Sequence, residues 1–455
     1  MEPTNFMKTL LISFALICSL PAAERGPNVI VILTDDQGYS DLGCFGSKTI
    51  KTPHLDRMAK EGRKFTSFMV PSSVCSPSRA GLLTGSYPKR VGMHRHVLFP
   101  PSDYGLNPAE YTLADHFKSL GYATACIGKW HLGHHPETLP RGNGFDSYFG
   151  IPYSNDMNHP DNKGKVRPAS DESWTNQDEF VKKWNTPLME NEKIIELPVD
   201  QRTITRRYTD KAIGFVRENK DKPFFLYLPH SMPHIPLFVP ADVADPDPKN
   251  AFKNVIEHID TEVGRLVDEI RNLGLAEKTL IIFTSDNGPW LKFKNHGGSA
   301  HPLRDGKSTT FEGGQRVPCV MWAPGRIPAG STSDALVSTI DLLPSLATIA
   351  GSKLPEGLRI DGLDLSATLT GNAPSAREEF LYFTAQGKLD GIRQHEWKLL
   401  MGEAQPLLFN LSEDIGETRD LAAEHPEKTK AMIARMRELD AEITANARPV
   451  WRKGS

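Results

Sequence analysis

The sequence predicts an α/β protein built on a doubly wound, mostly parallel sheet, with a smaller C-terminal α+β subdomain. Three observations carry that expectation. Four apolar runs, at 28–34, 122–127, 222–228 and 279–284, are rich in β-branched and aromatic residues, the mark of strands buried on both faces. Segments with helical spacing alternate with these runs. Each run also ends in polar, reactive side chains, and ligands of open α/β sheets collect at the carboxyl ends of the strands.

With 455 residues the chain can bury a large core, and its 39% hydrophobic and 24% charged residues describe an ordinary globular protein. A formal net charge of −3 provides no global basic field and argues against a nucleic-acid partner. Residues 1–23 read as a signal peptide: Lys8 precedes an apolar run at 10–20, and Pro21-Ala22-Ala23 offers a small-residue cleavage site. That run is short for a membrane span, and no later stretch is longer, so no stable membrane insertion is expected. The mature protein is expected to be exported: periplasmic or secreted if bacterial, lysosomal or extracellular if eukaryotic. Beyond Cys18 and Cys75, three scattered cysteines leave room for one disulfide but no framework. The expected organisation is a catalytic α/β domain over 24–375 and an antiparallel-sheet plus helix subdomain over 376–455.

The first run, 28–34, stops at Asp35-Asp36, two adjacent carboxylates with no basic neighbour in the sequence, half of a hard-cation site. Thr52-Pro53 opens a helix that Gly62 closes. In 72–85, Pro77 suits a first helical position with Ser76 as its cap, which places Cys75 just before a helix N-terminus where an anion is favoured. Arg79 adds a permanent positive fork. Thr112 and Asp115 form a capping pair for a helix with Leu113, Phe117 and Leu120 inward and Gly121 at its end. The second run leads to Gly128-Lys129-Trp130-His131, where Lys129 and His131, two apart, face the same way if the segment is extended.

From 155 to 203 the composition turns polar and reads as an irregular excursion, a lid or substrate-contacting loop. Helices follow at 203–219 and 251–273, the latter with apolar residues on one face. The third run leads to Pro233-His234-Ile235-Pro236 and the fourth to Ser285-Asp286-Asn287-Gly288. A strand at 319–322 and helical spacing over 334–350 come next. Short strands at 379–383, 389–393 and 397–400 and a charged helix at 426–444 complete the chain. Asp35, Asp36, Asp286 and Asn287 offer only hard oxygen donors, which favours Ca²⁺, then Mg²⁺, over zinc. His94, His96, Trp290 and His296 are loop candidates for substrate contact, and Asn410-Leu411-Ser412 matches a glycosylation sequon.

The pattern Cys75-x-Pro77-x-Arg79, followed by Ala80-Gly81-Leu82-Leu83-Thr84-Gly85, resembles the signature of the formylglycine-dependent sulfatases. Together with 33–38, 128–133, 150–154, 233–236, 285–288 and 306–314, it is similar to the arylsulfatase A and N-acetylgalactosamine-6-sulfatase branch. The resemblance implies an alkaline phosphatase-like sheet and hydrolysis of a sulfate monoester, a sulfated carbohydrate or an aryl sulfate, by a formylglycine made from Cys75 by a maturation enzyme. It implies Asp35, Asp36, Asp286, Asn287 and the modified Cys75 as Ca²⁺ ligands. It further implies that Arg79, Lys129 and His131 steady the hydrated aldehyde, and that His234 and Lys307 hold the ester and assist departure. Ser154 matches a position that hydrogen-bonds the sulfate region. Either His234 or Lys307 serves as proton donor at this level. The rival readings are a phosphate or phosphonate ester hydrolase of the same superfamily and a non-catalytic sulfated-glycan binding protein.

Overall fold

The computed structural model describes residues 26–158, 176 and 178–454; the expected signal peptide and the middle of the 155–203 excursion lie outside them. Alternation along the strand Asn28–Thr34 decides the architecture. Ile30 and Ile32 enter one hydrophobic core, while Val29, Val31 and Leu33 enter another. Helices Pro53–Glu61, Ile204–Glu218 and Ala251–Asn272 cover the first face, and Cys75–Thr84, Leu113–Ser119 and Leu342–Ile349 cover the second. A sheet sandwiched in this way is doubly wound, as the sequence predicts.

Asn28–Thr34 pairs in parallel with Phe224–Pro229 on one side and Thr279–Ser285 on the other, and Ala123–Ile127 continues the sheet in parallel beyond Phe224–Pro229. The four apolar runs are therefore consecutive neighbours in an eleven-stranded sheet. Arg316–Trp322 is antiparallel both to Thr279–Ser285 and to Arg63–Met69. Arg63–Met69 is hidden in the sequence because Arg-Lys-Phe-Thr-Ser-Phe-Met lacks an apolar run, and its buried Phe65 and Phe68 are three apart, a break in strand alternation where the pairing with Arg316–Trp322 shifts register.

Three expectations need correction. The 155–203 excursion contains Leu188–Glu190 and Lys193–Glu196, an antiparallel pair that extends the sheet from Ser147–Gly150. Residues 334–350 are not one helix: Val337–Ser338 pairs with Arg63–Met69, and the helix starts at Leu342. Leu120 is 38% exposed, because the helix ends at Ser119 and the chain turns away. The Thr112–Asp115 capping box does form.

Glu379–Phe383, Leu389–Gln394, Trp397–Leu400 and Leu407–Asn410 form a four-stranded antiparallel sheet. Helix Pro426–Ala445 lays Met432, Met436 and Ile443 into its core. Trp451–Arg452 returns to pair with Tyr104–Gly105 in the main body. Cys44, Cys75, Cys126 and Cys319 are free thiols, and among the described residues no helix is long and apolar enough to cross a membrane.

Candidate active site

Because the four central strands are adjacent and parallel, their carboxyl ends open on one edge of the sheet. Asp35-Asp36, Lys129, the 230–236 loop and Asp286-Asn287 all leave from that edge. Arg63–Met69 runs in the same direction, two antiparallel steps away, and delivers Ser72–Cys75 there. Arg316–Trp322 starts at this edge, so the loop before it brings Lys307. Asn287 thus donates to the Asp36 carboxylate at 2.7 Å across 251 residues of sequence.

Local backbone devices aim the side chains. Gly128, at φ 137°, ends Ala123–Ile127 in a conformation that an L side chain rarely adopts, and a Cβ there would sit 1.9 Å from the Pro229 carbonyl oxygen. That close approach lets the Lys129 N–H donate to the same carbonyl at 2.7 Å. Asp36, His131 and Ser308 also have positive φ (64°, 61° and 75°), strain concentrated at one site. His131 therefore does not continue an extended strand as the sequence suggested. Lys129 reaches Asp35, whereas His131 Nε2 meets the Leu98 carbonyl at 2.8 Å.

The helix expected to begin at Pro77 begins at Cys75, with Val74 as N-cap in an extended conformation. Ser76 does not cap it; its hydroxyl accepts the Leu98 N–H at 3.0 Å and ties the helix to the 94–102 loop. All ten residues of Cys75–Thr84 are buried. Cys75 thus sits in the first helical turn, where backbone N–H groups still face the site.

The Cys75 thiol donates to Asp35 Oδ1 at 3.3 Å, and Lys307 Nζ lies 3.6 Å from its sulfur. Arg79 Nε donates to Asp286 Oδ2 at 2.8 Å, its Nη2 lies 3.5 Å from Asp35, and its Nη1 donates to the Lys129 carbonyl at 2.6 Å. Lys129 Nζ bonds Asp35 and donates to the Ser154 hydroxyl at 3.1 Å. Lys307 Nζ is 2.7 Å from Asp36 Oδ1, and His234 Nε2 is 3.6 Å from Asp36 Oδ2. The aspartate pair without a basic neighbour in sequence therefore acquires four in space, Arg79, Lys129, Lys307 and His234.

Burial alone would raise the Asp35 pKa, but Lys129, His234, Arg79 and Lys307 outweigh it and hold the carboxyl well below its ordinary range. Burial and the charge of Asp35 push Asp286 up to about 7 despite Arg79. Burial, with Asp35 nearby, lifts the Cys75 thiol well above its usual value. Burial, then the Lys307 ammonium, lowers His234 to about 4. Burial opposes the charge on Lys307, yet Asp36, Cys75 and Asp35 keep its pKa above that of a free lysine.

Ligand atoms of Asp35, Asp36, Cys75 and His234 all lie within 4.8 Å of one another. Asp286 stays outside this tight group because Arg79 and the Asp36 N–H engage its oxygens. Asn287 Oδ1 is buried without a hydrogen-bond partner, as a ligand oxygen awaiting a cation would be. Asp35, Asp36, Asp286 and Asn287 are each at most 3% exposed and supply hard oxygens, so the donor set fits Ca²⁺ or Mg²⁺.

Of the loop candidates, Trp290 joins the site: its ring lies 4.4 Å from Lys307 Nζ and 5.5 Å from the His234 ring. His96 stacks on Phe99 at 6.0 Å and feels the Lys307 charge. His94 packs against Gly387 in the C-terminal unit, and His296 is buried with Nε2 2.6 Å from the Pro248 carbonyl; neither is brought to the cluster. Sequence reasoning passed over Asn155, directly after Ser154. Its Nδ2 donates to the carbonyls of His234 and Pro236 at 3.3 and 3.0 Å and so holds the loop bearing His234. It also overlooked Gln37, directly after the aspartates, whose amide is buried with neither atom partnered.

A second buried charge network supports the loop of Lys307 from behind. Lys398, fully buried on the C-terminal sheet, lies 3.0 Å from Glu312 Oε1 and 2.8 Å from Glu417 Oε1. Tyr382 donates to Glu312 at 2.7 Å, the Glu312 N–H donates to Glu417 at 2.7 Å, and Arg304 donates to the Glu417 carbonyl at 2.7 Å. Removing one member of a buried ion network leaves the others uncompensated. Lys398→Met is therefore expected to destabilise the protein by about 3–5 kcal/mol, read as a lower urea midpoint. A midpoint unchanged from wild type would show that the network carries little stability.

A sulfatase family model matches residues 27–352. Arylsulfatase G of Rattus norvegicus is 36% identical over 441 residues, covering 88% of this chain and 84% of that protein. Arylsulfatase A of Homo sapiens is 37% identical, covering 92% and 88% respectively. The crystal structure of Ps i-CgsB in complex with k-i-k-neocarrahexaose superposes with a TM-score of 0.80 at 31% identity, covering 95% of this chain and 96% of that one. Clustering of acid, base and thiol groups at one sheet edge thus coincides with relationship along nearly the whole chain, and the protein belongs to the sulfatase family of sulfuric ester hydrolases.

Proposed function

We propose that the protein hydrolyses sulfate monoesters of a sulfated saccharide with a formylglycine made from Cys75 and a bound Ca²⁺, Mg²⁺ being the weaker fit. The observation that carries this reading is the state of Cys75. The thiol lies at the centre of the cluster, yet burial and Asp35 hold it protonated, which makes it a poor nucleophile as it stands. With 1% exposure it is also out of reach of a second enzyme once the chain has folded, so a maturation enzyme would act before folding. The modification would supply two hydroxyls on one carbon, one to attack sulfur and one to release sulfate as C=O re-forms.

The cation would be held by Asp35, Asp36, Asp286, Asn287 and the oxygen that replaces the Cys75 sulfur, and would offset charge on the sulfonyl oxygens. Arg79 orients Asp286 and Asp35 and adds positive charge beside the attacking group. Lys129, bonded to Ser154, presents a cation to the same oxygens. His131, neutral through burial and the nearby Lys129 and Arg79 charges, can take a proton from the hydrated aldehyde. His234 Nδ1 donates to the Ile235 carbonyl at 2.5 Å, so the neutral ring offers Nε2 as an acceptor towards the site. Lys307, which keeps its proton, is then the donor to the departing alcohol.

Residues 24–375 form the catalytic unit in this reading, and 376–455 a subdomain that backs the Lys307 loop through Lys398. The N-terminal apolar run of the sequence would direct export to the periplasm, the medium or a lysosome. That Ps i-CgsB was solved with a neocarrahexaose supports a saccharide substrate. Mass analysis of the Cys75 peptide from the native host, with aryl sulfate and aryl phosphate turnover before and after chelation, tests the reading. An aldehyde and chelator-sensitive sulfate release are expected. An unmodified thiol in active enzyme, or phosphate released faster than sulfate, would overturn it.

A further inference from the structure

The 289–299 loop has two flanks. Trp290 faces Lys307 and His234 on one of them. On the other, Lys294, Asn295, Gly298 and Ser299 line a cavity of about 630 Å³, whose remaining walls come from 40–50 and 249–253. Four lysines line it, Lys48, Lys249, Lys253 and Lys294, and none of their ammonium groups has a carboxylate partner among the described residues. This sets them apart from the lysines of the catalytic edge, whose charges are matched by Asp35 and Asp36. Lys294 stands at φ 48°, ψ −114°, which breaks the short 3₁₀ turn Leu291–His296.

The lining carboxylate, Asp41, is committed to the scaffold. It accepts the Gly38 N–H at 2.7 Å and the Ser299 N–H at 2.9 Å, and so joins the loop that follows Asp35-Asp36 to the 289–299 loop. The cavity is thereby tied through backbone to both sides of the catalytic cluster. Its walls combine unneutralised ammonium groups with the apolar side chains of Ile50 and Phe252. An anionic ligand with apolar faces, such as a sulfated sugar ring, satisfies both. Three other clusters do less. The buried Lys398 network is already saturated. The cavity at Tyr87, Arg377 and Arg435 is filled with paired charge. His230 and His258, buried side chains with unpartnered ring nitrogens, have no opening to a ligand.

We propose that this basic cavity is a distal subsite that binds an anionic unit of a sulfated saccharide chain whose scissile sulfate occupies the catalytic edge. The proposal rests on the saccharide reading above and extends it: the substrate is an oligomer bearing more than one anionic group. Exposed charge pairs contribute little singly and are screened by salt. The effect should therefore appear in KM, summed over several lysines, and should fade as salt rises.

The test uses the full-length matured enzyme, its Lys48→Glu/Lys253→Glu/Lys294→Glu variant, 4-nitrocatechol sulfate, and hexasaccharides of carrageenan, chondroitin sulfate and heparan sulfate. Binding of each hexasaccharide is measured by calorimetry at low and high salt, alongside turnover of both substrate types. Expected are wild-type binding of at least one hexasaccharide, a fall of about tenfold or more in affinity with a matching rise in KM in the variant, and 4-nitrocatechol sulfate kinetics within about twofold of wild type. The Lys→Gln counterpart should lose less. No hexasaccharide binding by wild type, unchanged binding in the variant, or an equal loss on the aryl sulfate would overturn the subsite. Absence of wild-type aryl sulfate turnover would instead sink the catalytic reading, while the calorimetry still decides whether the lysines bind a sulfated chain.

Discussion

Cys75→Ala is expected to lower kcat for 4-nitrocatechol sulfate by about 10⁴-fold or more while leaving the folded protein intact. The first half follows from its position. In the proposed function Cys75 supplies the nucleophile, and its neighbours, Asp35 at 3.3 Å and Lys307 at 3.6 Å, lie around its side chain. The second half follows from size. Alanine removes one small buried group at a helix start without burying a new polar atom, and Asp35 keeps Lys129 and Arg79 as partners. Steady-state turnover and thermal unfolding on the same preparation check both. Sulfate release near the wild-type rate would defeat the assignment, and Cys75→Ser separates loss of the side chain from loss of its modification.

Lys307→Ala carries the second large effect, a fall in kcat of about 10²–10⁴-fold on substrates with poor leaving groups. Lys307 remains charged because Asp36 lies 2.7 Å away, whereas burial and Lys307 itself keep His234 neutral down to about pH 4. Proton delivery to an alkoxide matters most when the alcohol is weakly acidic, so the loss should shrink along a series of aryl sulfates with increasingly acidic phenols. Lys307→Arg restores charge beside Asp36 but puts a planar guanidinium fork in place of a compact ammonium, and should recover KM more than kcat. A loss independent of leaving-group acidity would mean that Lys307 acts through charge alone. A steeper dependence in His234→Ala than in Lys307→Ala would move the proton to His234.

The predicted fold class was legible because the four central strands are buried on both faces and must be apolar throughout. Asn28–Thr34 and Thr279–Ser285 show it without help from context. Arg63–Met69 was not legible, since its charges find partners elsewhere in the fold: Arg63 Nε donates to Ser331 at 2.8 Å and Lys64 Nζ to the Cys44 carbonyl at 2.8 Å. That hidden strand is the one that carries the chain to Cys75. The start of the Cys75 helix was misread for a related reason, because Ser76, a good cap by type, spends its hydroxyl on Leu98.

Sequence by itself determined the identities of the groups at the strand ends and the alternation of strand and helix that sends them to one edge, because both depend on residue type and local spacing. Only the tertiary structure decided how they pair. Lys129, Arg79 and Lys307 neutralise the aspartates, Trp290 closes over Lys307 while His94 and His296 stay away, and Lys398 on the C-terminal sheet pairs with Glu312 behind the Lys307 loop. Charge pairing and desolvation act through space over a few ångströms, and between residues hundreds of positions apart the order of the chain holds no record of that distance.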